Sequence, residues 1–130
     1  MTQEDKELLL KDLCARLPYG VKGIVEDGIK VTTPSEWPVE KSIEFSMRYM
    51  VIKNEWRPYL FPMSSMTDEQ KEELSNEMCY LTHSQIEGRN PNGLIESTVF
   101  EIDFYNKHHI DYRGFIEKGL AIDATNKNVY

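Results

Sequence analysis

The residues best suited to chemistry lie close together late in the chain. Two adjacent histidines, His108 and His109, are followed by Asp111. Because histidine titrates near neutral pH without help from its surroundings, these three side chains could carry out acid–base catalysis. Tyr112 and Arg113 come next, and a guanidinium is a rigid fork of donors that suits an anionic ligand. The pattern therefore indicates two uses: proton transfer by the first three residues, and ligand binding by Asp111, Tyr112 and Arg113.

The same block is also typical of a well-satisfied helix end, which is the role that its composition favours. Lys107 and the histidines would complement the negative end of the helix dipole. Arg113 would donate hydrogen bonds to a carboxylate or to chain carbonyl groups nearby. Large apolar side chains close to one turn are costly to leave in water, so we expect Tyr112, Phe115 and Ile116 to pack into the core.

A second constellation could ligate a metal ion. Cys79 and His83 stand four residues apart on a predicted helix and could share one face. With His108, His109 or Asp111 they would complete a four-ligand zinc site. Their spacing is unlike the closely paired ligands of common zinc modules, however, and the sequence predicts no metal and no other cofactor. The alternative is a packed Cys79 and a solvent-facing His83.

Nucleophilic catalysis has little support in the sequence. Cys79 or Ser64 could pair with a histidine elsewhere in the fold, but the chain has no Gly-x-Ser-x-Gly motif and no glycine-rich phosphate loop. Ser64 is better explained as the approach to a helix cap at Thr67. The residue pattern therefore favours a non-catalytic protein over an enzyme.

Length and composition place the chain among ordinary globular proteins. Its 130 residues, of which 40% are hydrophobic and 28% charged, predict one domain that spans residues 1–130. The net charge of −7 is divided into −2 for residues 1–50, −4 for 51–98 and −1 for 99–130. No stretch forms a basic patch, so we expect no direct contact with nucleic acid. An acidic surface serves solubility, and it could also attract a basic partner or imitate the charge of DNA.

The cellular compartment is inferred from what the sequence lacks. Only Cys14 and Cys79 are present, whereas a secreted fold held by disulfides has more cysteines at shorter spacing. The acidic start of the chain lacks the basic region and long apolar run of a signal peptide. No apolar stretch approaches the roughly 20 residues of a membrane span. We therefore expect a cytoplasmic protein with reduced thiols and no membrane contact.

The first part of the chain predicts a helix and a hairpin. Thr2 and Asp5 have the spacing of a capping box, and apolar residues recur at helical spacing over about 3–16, as in an amphipathic helix. Two β-prone runs, 21–26 and 29–33, flank Asp27 and Gly28. A two-residue Asp-Gly loop suits a tight turn of type I′, so these runs predict a β-hairpin.

The middle of the chain predicts a strand and an irregular crossing. Apolar and polar residues alternate over 43–51, which is the pattern of a half-buried strand. The apolar face of that strand would hold Ile43, Phe45, Met47, Tyr49 and Val51. The segment 57–63 contains two prolines and is predicted to cross the sheet without regular structure.

The second half of the chain predicts helices. Thr67 and Gln70 have the spacing of a capping box and open one helix. Thr98 and Glu101 repeat that spacing, so another helix is expected to begin just after Thr98. All these elements together predict an α+β fold: an amino-terminal helix, a small antiparallel sheet that includes the hairpin, and carboxyl-terminal helices packed on one face. The polar residues from 124 onward are expected to fray.

Three blocks of the sequence, Leu9–Val21, Arg57–Glu69 and Tyr105–Ala121, cover less than half of the chain. Together they resemble an uncharacterised family of short acidic proteins that is common in gut Bacteroides-type bacteria and in their phages and mobile elements. The chain departs from this family at Phe61, where members tend to carry a basic residue, and in the last helix, which lacks the family's tryptophan. Because the family has no established activity, the resemblance implies an origin and no mechanism.

We therefore expect a non-catalytic protein-binding module, an accessory protein of phage or mobile-element origin that acts on a host protein. The alternative is a small metal-dependent or acid–base enzyme built around His108, His109 and Asp111. A pocket that gathers these residues with Cys79 or His83 would favour the enzyme, whereas a flat apolar patch would favour the binding module.

Overall fold

The computed structural model describes residues 1–25, 31–37 and 42–130. The α-helices in these ranges are α1 (Gln3–Arg16), α2 (Ile43–Arg48), α3 (Asp68–Ile86) and α4 (Gly93–Lys107). Other helical turns are a π-helical turn after α2 (Tyr49–Lys53) and 3₁₀ turns at Leu17–Tyr19, Pro34–Glu36 and Met63–Ser65. The β-strands are β1 (Gly23–Ile24), β2 (Val31–Thr32), β3 (Arg57–Pro62), β4 (Ile110–Asp111) and β5 (Ile122–Asp123).

The sheet is built around β3, which pairs with three other strands. β1 lies antiparallel between β2 and β3, whereas β4 and β5 both run parallel to β3. The helices and this small sheet confirm the predicted α+β class. The sheet is mixed, however, and the expected antiparallel pairing holds only for the two pairs that include β1. The chain between β3 and β4 contains α3 and α4, and a crossover of that length permits parallel pairing.

The predicted hairpin is described in part. β1 and β2 pair antiparallel, with Ile24 opposite Val31, as the two β-prone runs require. The Asp27-Gly28 dipeptide lies outside the described residues, so its turn type stays a prediction.

The predicted strand at 43–51 is wrong, because these residues are helical, in α2 and in the π-helical turn. Met47, Met50 and Val51 are buried, at the i, i+3 and i+4 spacing of one helix face. Tyr49, which alternation assigns to the buried face, is 47% exposed. Both periods place Met47 and Val51 on one side of the chain, so within this short segment the alternation is no proof of a strand.

The segment 57–63, predicted to be irregular, contains the central strand of the sheet. Its two prolines lack an amide donor, but the sheet takes its donors from residues between them. The Tyr59 N–H donates to the Lys22 carbonyl at 2.8 Å, and the Phe61 N–H donates to the His109 carbonyl at 2.8 Å. The prolines therefore occupy positions where the missing N–H does not interrupt these bonds.

Two predicted capping boxes are confirmed. The Thr2 hydroxyl accepts the Asp5 N–H, and the Asp5 carboxylate accepts the Thr2 N–H, both at 3.1 Å. Thr67 and Gln70 exchange the same pair of hydrogen bonds at the start of α3. The first helix thus covers the predicted range of 3–16.

The helix α4 begins earlier than predicted, at Gly93. Thr98 lies inside the helix, where its hydroxyl donates to the Leu94 carbonyl at 3.1 Å. The first turn of α4 is held by α3 instead, because Gln85 Oε1 accepts the Leu94 N–H at 2.7 Å. Only glycine fits at the start of α4, since a Cβ on Gly93 would overlap the carbonyl oxygen of Leu81. A cap supplied by another helix leaves no trace in local spacing.

Two apolar clusters form the core of the described residues, and β3 contributes to both. The first cluster surrounds Leu60 and Trp56 and includes the buried side of α1. The second lies between β3, α3 and α4 and includes Leu74 and Phe104. Leu60 belongs to the first cluster and its neighbour Phe61 packs against the second, as the alternating sides of a strand require.

The final segment of the chain is anchored to the sheet at Ala124 and Tyr130. Ala124 is buried, and its N–H donates to the Leu60 carbonyl at 2.8 Å. The Tyr130 hydroxyl donates to the Tyr59 carbonyl at 2.8 Å and accepts the Lys22 N–H at 2.9 Å. The predicted fraying is thus not seen at Ala124 or at Tyr130, while residues 125–128 between them are exposed.

Cys14 and Cys79 are unbridged, as predicted, and both are exposed. Within the described ranges, no helix combines the length and the apolar character that a membrane crossing requires.

Candidate functional site

Asp111 closes the turn that follows β4. Its two carboxylate oxygens accept the N–H groups of Phe115 at 2.8 Å and of Ile116 at 2.9 Å. Charge-assisted hydrogen bonds of this kind are stronger than neutral ones, and they occupy both oxygens of the carboxylate. Both oxygens of Asp111 therefore hold this turn, which gives the residue a structural role.

Arg113 binds a carboxylate from the other end of the chain. Its Nε donates to Asp12 Oδ1 at 3.2 Å, and Arg16 Nε donates to Asp12 Oδ2 at 2.7 Å. Arg16 is fully buried, and its Nη atoms donate to the carbonyls of Ile110 at 2.7 Å and Tyr105 at 3.5 Å. One buried carboxylate thus joins two guanidinium groups and ties α1 to α4 and β4.

The role of Asp12 and Arg16 is not evident from motif or composition. One sequence feature does point to it: the two residues are four apart, and each stands three residues after an apolar position of α1, Leu9 or Leu13. A pair of opposite charges beside a buried stripe favours an internal ion pair over a solvated one. The partner Arg113 has no such indicator, because it lies 101 residues from Asp12 in sequence.

Tyr112 and Arg113 are engaged within the fold. The Tyr112 ring stacks on Tyr105 with centroids 5.6 Å apart, and the Arg113 guanidinium lies 5.0 Å from the Tyr112 ring centre. Phe115 is fully buried, while Tyr112 and Ile116 pack against the apolar clusters. The predicted packing of these three side chains is confirmed, and it gives this part of the chain a structural role.

His108 and His109 lie in the wall of a pocket of about 420 Å³, which we call the histidine pocket. It opens between β3, the start of α3, the end of α4 and the turn after β5. The other described residues that line it are Phe61, Ser65, Thr67, Gln70, Lys107, Ile110, Thr125 and Asn126. Inside the pocket, Gln70 Nε2 lies 3.5 Å from His108 Nδ1. The structure therefore brings the two histidines together with hydroxyl and amide groups, and places Asp111 elsewhere.

His109 combines an unusual backbone with a buried ring. Its φ is +58°, in the left-handed region that few residues other than glycine adopt. The imidazole stacks on Tyr130 with ring centroids 3.7 Å apart, and only 9% of the residue is exposed. Burial lowers the pKa of His109 to about 4, and the positive charge of Arg16 acts in the same direction. The ring is therefore neutral at physiological pH.

The pKa of His108 is also lowered, first by burial and then by the charge of Lys107, while Glu73 opposes the shift. A neutral imidazole donates through one nitrogen and accepts through the other. Near neutral pH, Lys107 is then the one full positive charge among the described lining residues. The pocket can hold a small polar ligand by hydrogen bonds and a single charge.

Cys79 and His83 do not line the histidine pocket. Cys79 is exposed rather than packed, and it lies in an apolar groove of about 410 Å³ with Met66, Leu74 and Met78. His83 is solvent-facing, as predicted. No group of three or more metal-ligating side chains occurs in the part of the chain that the structure describes. The described residues therefore do not form the four-ligand zinc site that the sequence allows, with Cys79 and His83 as two of its ligands.

The outer side of α4 exposes apolar side chains to which no sequence motif points. Leu94 is 52% exposed, Ile95 67% and Val99 54%, all within the first two turns of the helix. Ile86, at the end of α3, is 74% exposed. It lies at the same end of the helix pair, because the neighbouring Gln85 binds the Leu94 N–H. We call Ile86, Leu94, Ile95 and Val99 the hairpin face.

Most of the net charge lies on the same two helices and their connection. Residues 68–107 carry nine acidic and three basic side chains, which is −6 of the total of −7. Glu96 and Asp103 are exposed and stand three residues before and four residues after Val99, so they border its side of α4. The hairpin face is thus an apolar surface in an acidic setting.

Comparison of the chain with protein-family models, with curated proteins and with solved structures gives no match. Function is therefore inferred from the geometry and chemistry of the chain's own residues.

Proposed function

We propose that the protein is a non-catalytic protein-binding module that docks a partner on the hairpin face. The occupant that the charges favour is a basic amphipathic segment, with lysine or arginine beside apolar side chains. The observation that carries this proposal is the coincidence of exposed Leu94, Ile95 and Val99 with the acidic excess of the same helix pair.

Exposed apolar residues are ordinary when they are scattered, and informative when they cluster. The four residues of the hairpin face are half to three-quarters exposed and lie at one end of α3 and α4. Full burial of one such side chain is worth roughly 1.5–3 kcal/mol. A partner that covers all four side chains gains a substantial part of this burial free energy at each position. The gain offsets the entropy lost on association.

The charge distribution favours a partner that differs from this chain. Two copies that met through the hairpin face would bring the Glu96 and Asp103 carboxylates of both copies to one interface, and like charges at an interface are costly. A basic partner gains from the same field, which accelerates encounter and selects against acidic competitors. The expected interface therefore has an apolar centre and complementary charges around it.

The origin of the partner follows from the sequence resemblance. Proteins of phages and mobile elements act inside a host cell, and the resembled family occurs in gut Bacteroides-type bacteria. We therefore propose a host protein as the partner. This part of the proposal is independent of the hairpin face, because the three resembling blocks do not include Leu94, Ile95 or Val99.

The alternative acid–base enzyme has one observation in its favour, since His108 and His109 line a pocket. The third member of the expected group, Asp111, is occupied by backbone N–H groups. Neither Cys79 nor His83 lines that pocket. The binding module therefore accounts for more of the described features than the enzyme does.

The proposal is tested by capture from host lysate with matched baits. The double variant Ile95→Ala/Val99→Ala removes the exposed apolar groups and keeps good helix formers. Tyr80→Ala is the control, because Tyr80 is 61% exposed but lies outside the hairpin face. Captured proteins are identified by mass spectrometry at low and high salt, and their binding is then measured with purified protein.

We expect wild type and Tyr80→Ala to retain the same basic protein and the double variant to lose it, with weaker retention at high salt. Equal retention by the double variant would contradict the proposal. Sedimentation of the purified protein tests the other occupant: a dimer that the double variant dissociates would place a second copy on the hairpin face, against the charge argument.

A further inference from the structure

We propose that the histidine pocket binds a small molecule through an oxyanion group, either a phosphate or a carboxylate. The pocket involves the start of α3 and the end of α4, whereas the hairpin face lies at the opposite ends of these helices. The inference therefore stands apart from the proposed protein partner, and either can fail without the other.

The lining of the pocket is rich in hydrogen-bond donors. Hydroxyl groups come from Ser65, Thr67 and Thr125, amide groups from Gln70 and Asn126, and an ammonium group from Lys107. None of the described lining residues is an aspartate or a glutamate, although the chain contains 22 of them among 130 residues. The described lining thus offers an anion donors and the charge of Lys107, while carboxylates lie close by: Glu73 acts on His108, and Asp123 accepts the Thr125 N–H at 2.9 Å.

The amino terminus of α3 adds to this field. Thr67 caps the helix and also lines the pocket, and the positive end of a helix dipole favours an anion. The acidic residues of the first turn, Asp68 and Glu69, are exposed and do not line the pocket. Within the pocket wall the Ser65 hydroxyl already donates to the Pro62 carbonyl at 2.6 Å, whereas no hydrogen bond among the described residues uses the Lys107 ammonium or the Asn126 side-chain amide.

His109 keeps hydrogen-bonding capacity that the fold does not use. The residue is 9% exposed, and its Nδ1 has no hydrogen-bond partner among the described residues. Buried polar atoms without a partner are rare in folded proteins and call for an explanation. Phe61 and Ile110 contribute apolar surface to the same wall. An organic ligand can thus place its charged group on the donors and its carbon frame against these side chains.

The inference is tested by following the three histidines of the chain by NMR. Inorganic phosphate and, in a second series, acetate are titrated at constant pH near neutrality. His108 and His109 report on the pocket, and His83 is an internal control because it is exposed on α3 and does not line the pocket. The variant Lys107→Met removes the charge in the pocket and keeps the length of the side chain. Lys118→Met, at an exposed residue outside the pocket, is its control.

We expect saturable shifts of His108 and His109 in the millimolar range and no saturable shift of His83. Lys107→Met should weaken binding severalfold, and Lys118→Met should leave it unchanged. Saturation by phosphate alone or by acetate alone identifies the group that the pocket accepts. Equal, unsaturated shifts of all three histidines, no shift of His108 and His109 with either anion, or unchanged affinity in Lys107→Met would each overturn the inference.

Discussion

Two regions of the molecule place their side chains in opposite ways. One is the tail block, which is residues 105–116 with the α1 residues that bind them, and the other is the hairpin face. In the tail block charged groups turn inward, since Arg16 and Asp12 are at most 1% exposed and bind each other at 2.7 Å. On the hairpin face apolar groups turn outward, since Ile95 is 67% exposed. The buried charges of the first region bind one another and nearby backbone groups, while the second region leaves apolar surface uncovered. The charged residues of this buried network serve the fold, and the hairpin face, which consists of apolar residues, is the better candidate for contact with a protein partner.

This difference has a physical basis in what each arrangement costs. A buried charge is tolerated only with matched partners, and the fold gives Arg16 three hydrogen-bond acceptors and gives each carboxylate oxygen of Asp12 and Asp111 one donor. Exposed apolar side chains cost little in the free protein, but they offer binding energy to any surface that covers them. Surface that the fold leaves without a partner is therefore more informative about function than the chemical reactivity of a residue type.

The largest expected effect is the loss of the buried carboxylate. Asp12→Ala leaves Arg16 buried without its partner and releases Arg113, so we expect the free energy of unfolding to fall by about 3–5 kcal/mol in denaturant titrations. Glu7→Ala is the control, because the Glu7–Arg48 pair is exposed, with side-chain exposures of 43% and 48%. The control should lose about 0–1 kcal/mol. Equal losses in the two variants would contradict the central role of the buried network.

Substitution of Phe115 should show that the apolar part of the tail block belongs to the core. Its ring is fully buried, so Phe115→Ala is expected to cost about 3–5 kcal/mol of stability, measured by thermal or denaturant unfolding. Tyr80→Ala removes another aromatic ring, but one that is 61% exposed, and it should change stability by no more than about 0.5 kcal/mol. A fully stable Phe115→Ala protein would turn the tail block into a candidate binding surface.

Acid should destabilise the fold through His109. Its pKa is about 4 in the folded protein against an ordinary value of 6.5, so between these values the unfolded chain takes up a proton that the folded chain does not. Stability is therefore undiminished above pH 6.5 and falls as the pH drops towards 4, by no more than about 3 kcal/mol. His109→Phe keeps a ring for the Tyr130 stack and cannot titrate, so its stability should fall less over this range. Identical pH profiles of variant and wild type would refute this role.

Local patterns predict much of the frame. Thr2 with Asp5 and Thr67 with Gln70 mark the starts of α1 and α3, because a capping box is complete within four residues. The strand predicted at 43–51 fails because two periodicities agree over so short a segment. Features that depend on distant residues leave no local pattern, and the central strand β3 is the main example, since its hydrogen bonds go to β1, β4 and β5.

The candidate sites are less predictable than the frame. The hairpin face is missed because α4 takes its first cap from Gln85 of α3, so Leu94 and Ile95 precede the helix that local spacing predicts. The histidine pocket is found in part, through His108 and His109, but its other walls come from segments as far as Phe61, 48 residues before His109 in sequence. Sequence spacing alone does not predict that Ser65, the α3 cap and the turn after β5 lie beside His108 and His109.

The smallest expected change in stability belongs to the hairpin face, and it gives the most direct test of the central claim. The claim is that Ile95 and Val99 are exposed for a partner and not required by the fold. Each of the two substitutions in Ile95→Ala/Val99→Ala should change the free energy of unfolding by no more than about 0.5 kcal/mol. Calorimetric titration of this variant with the partner captured by wild type is the decisive measurement. We predict that binding is lost in a variant of unchanged stability; a variant that binds the partner as tightly as wild type would contradict the account.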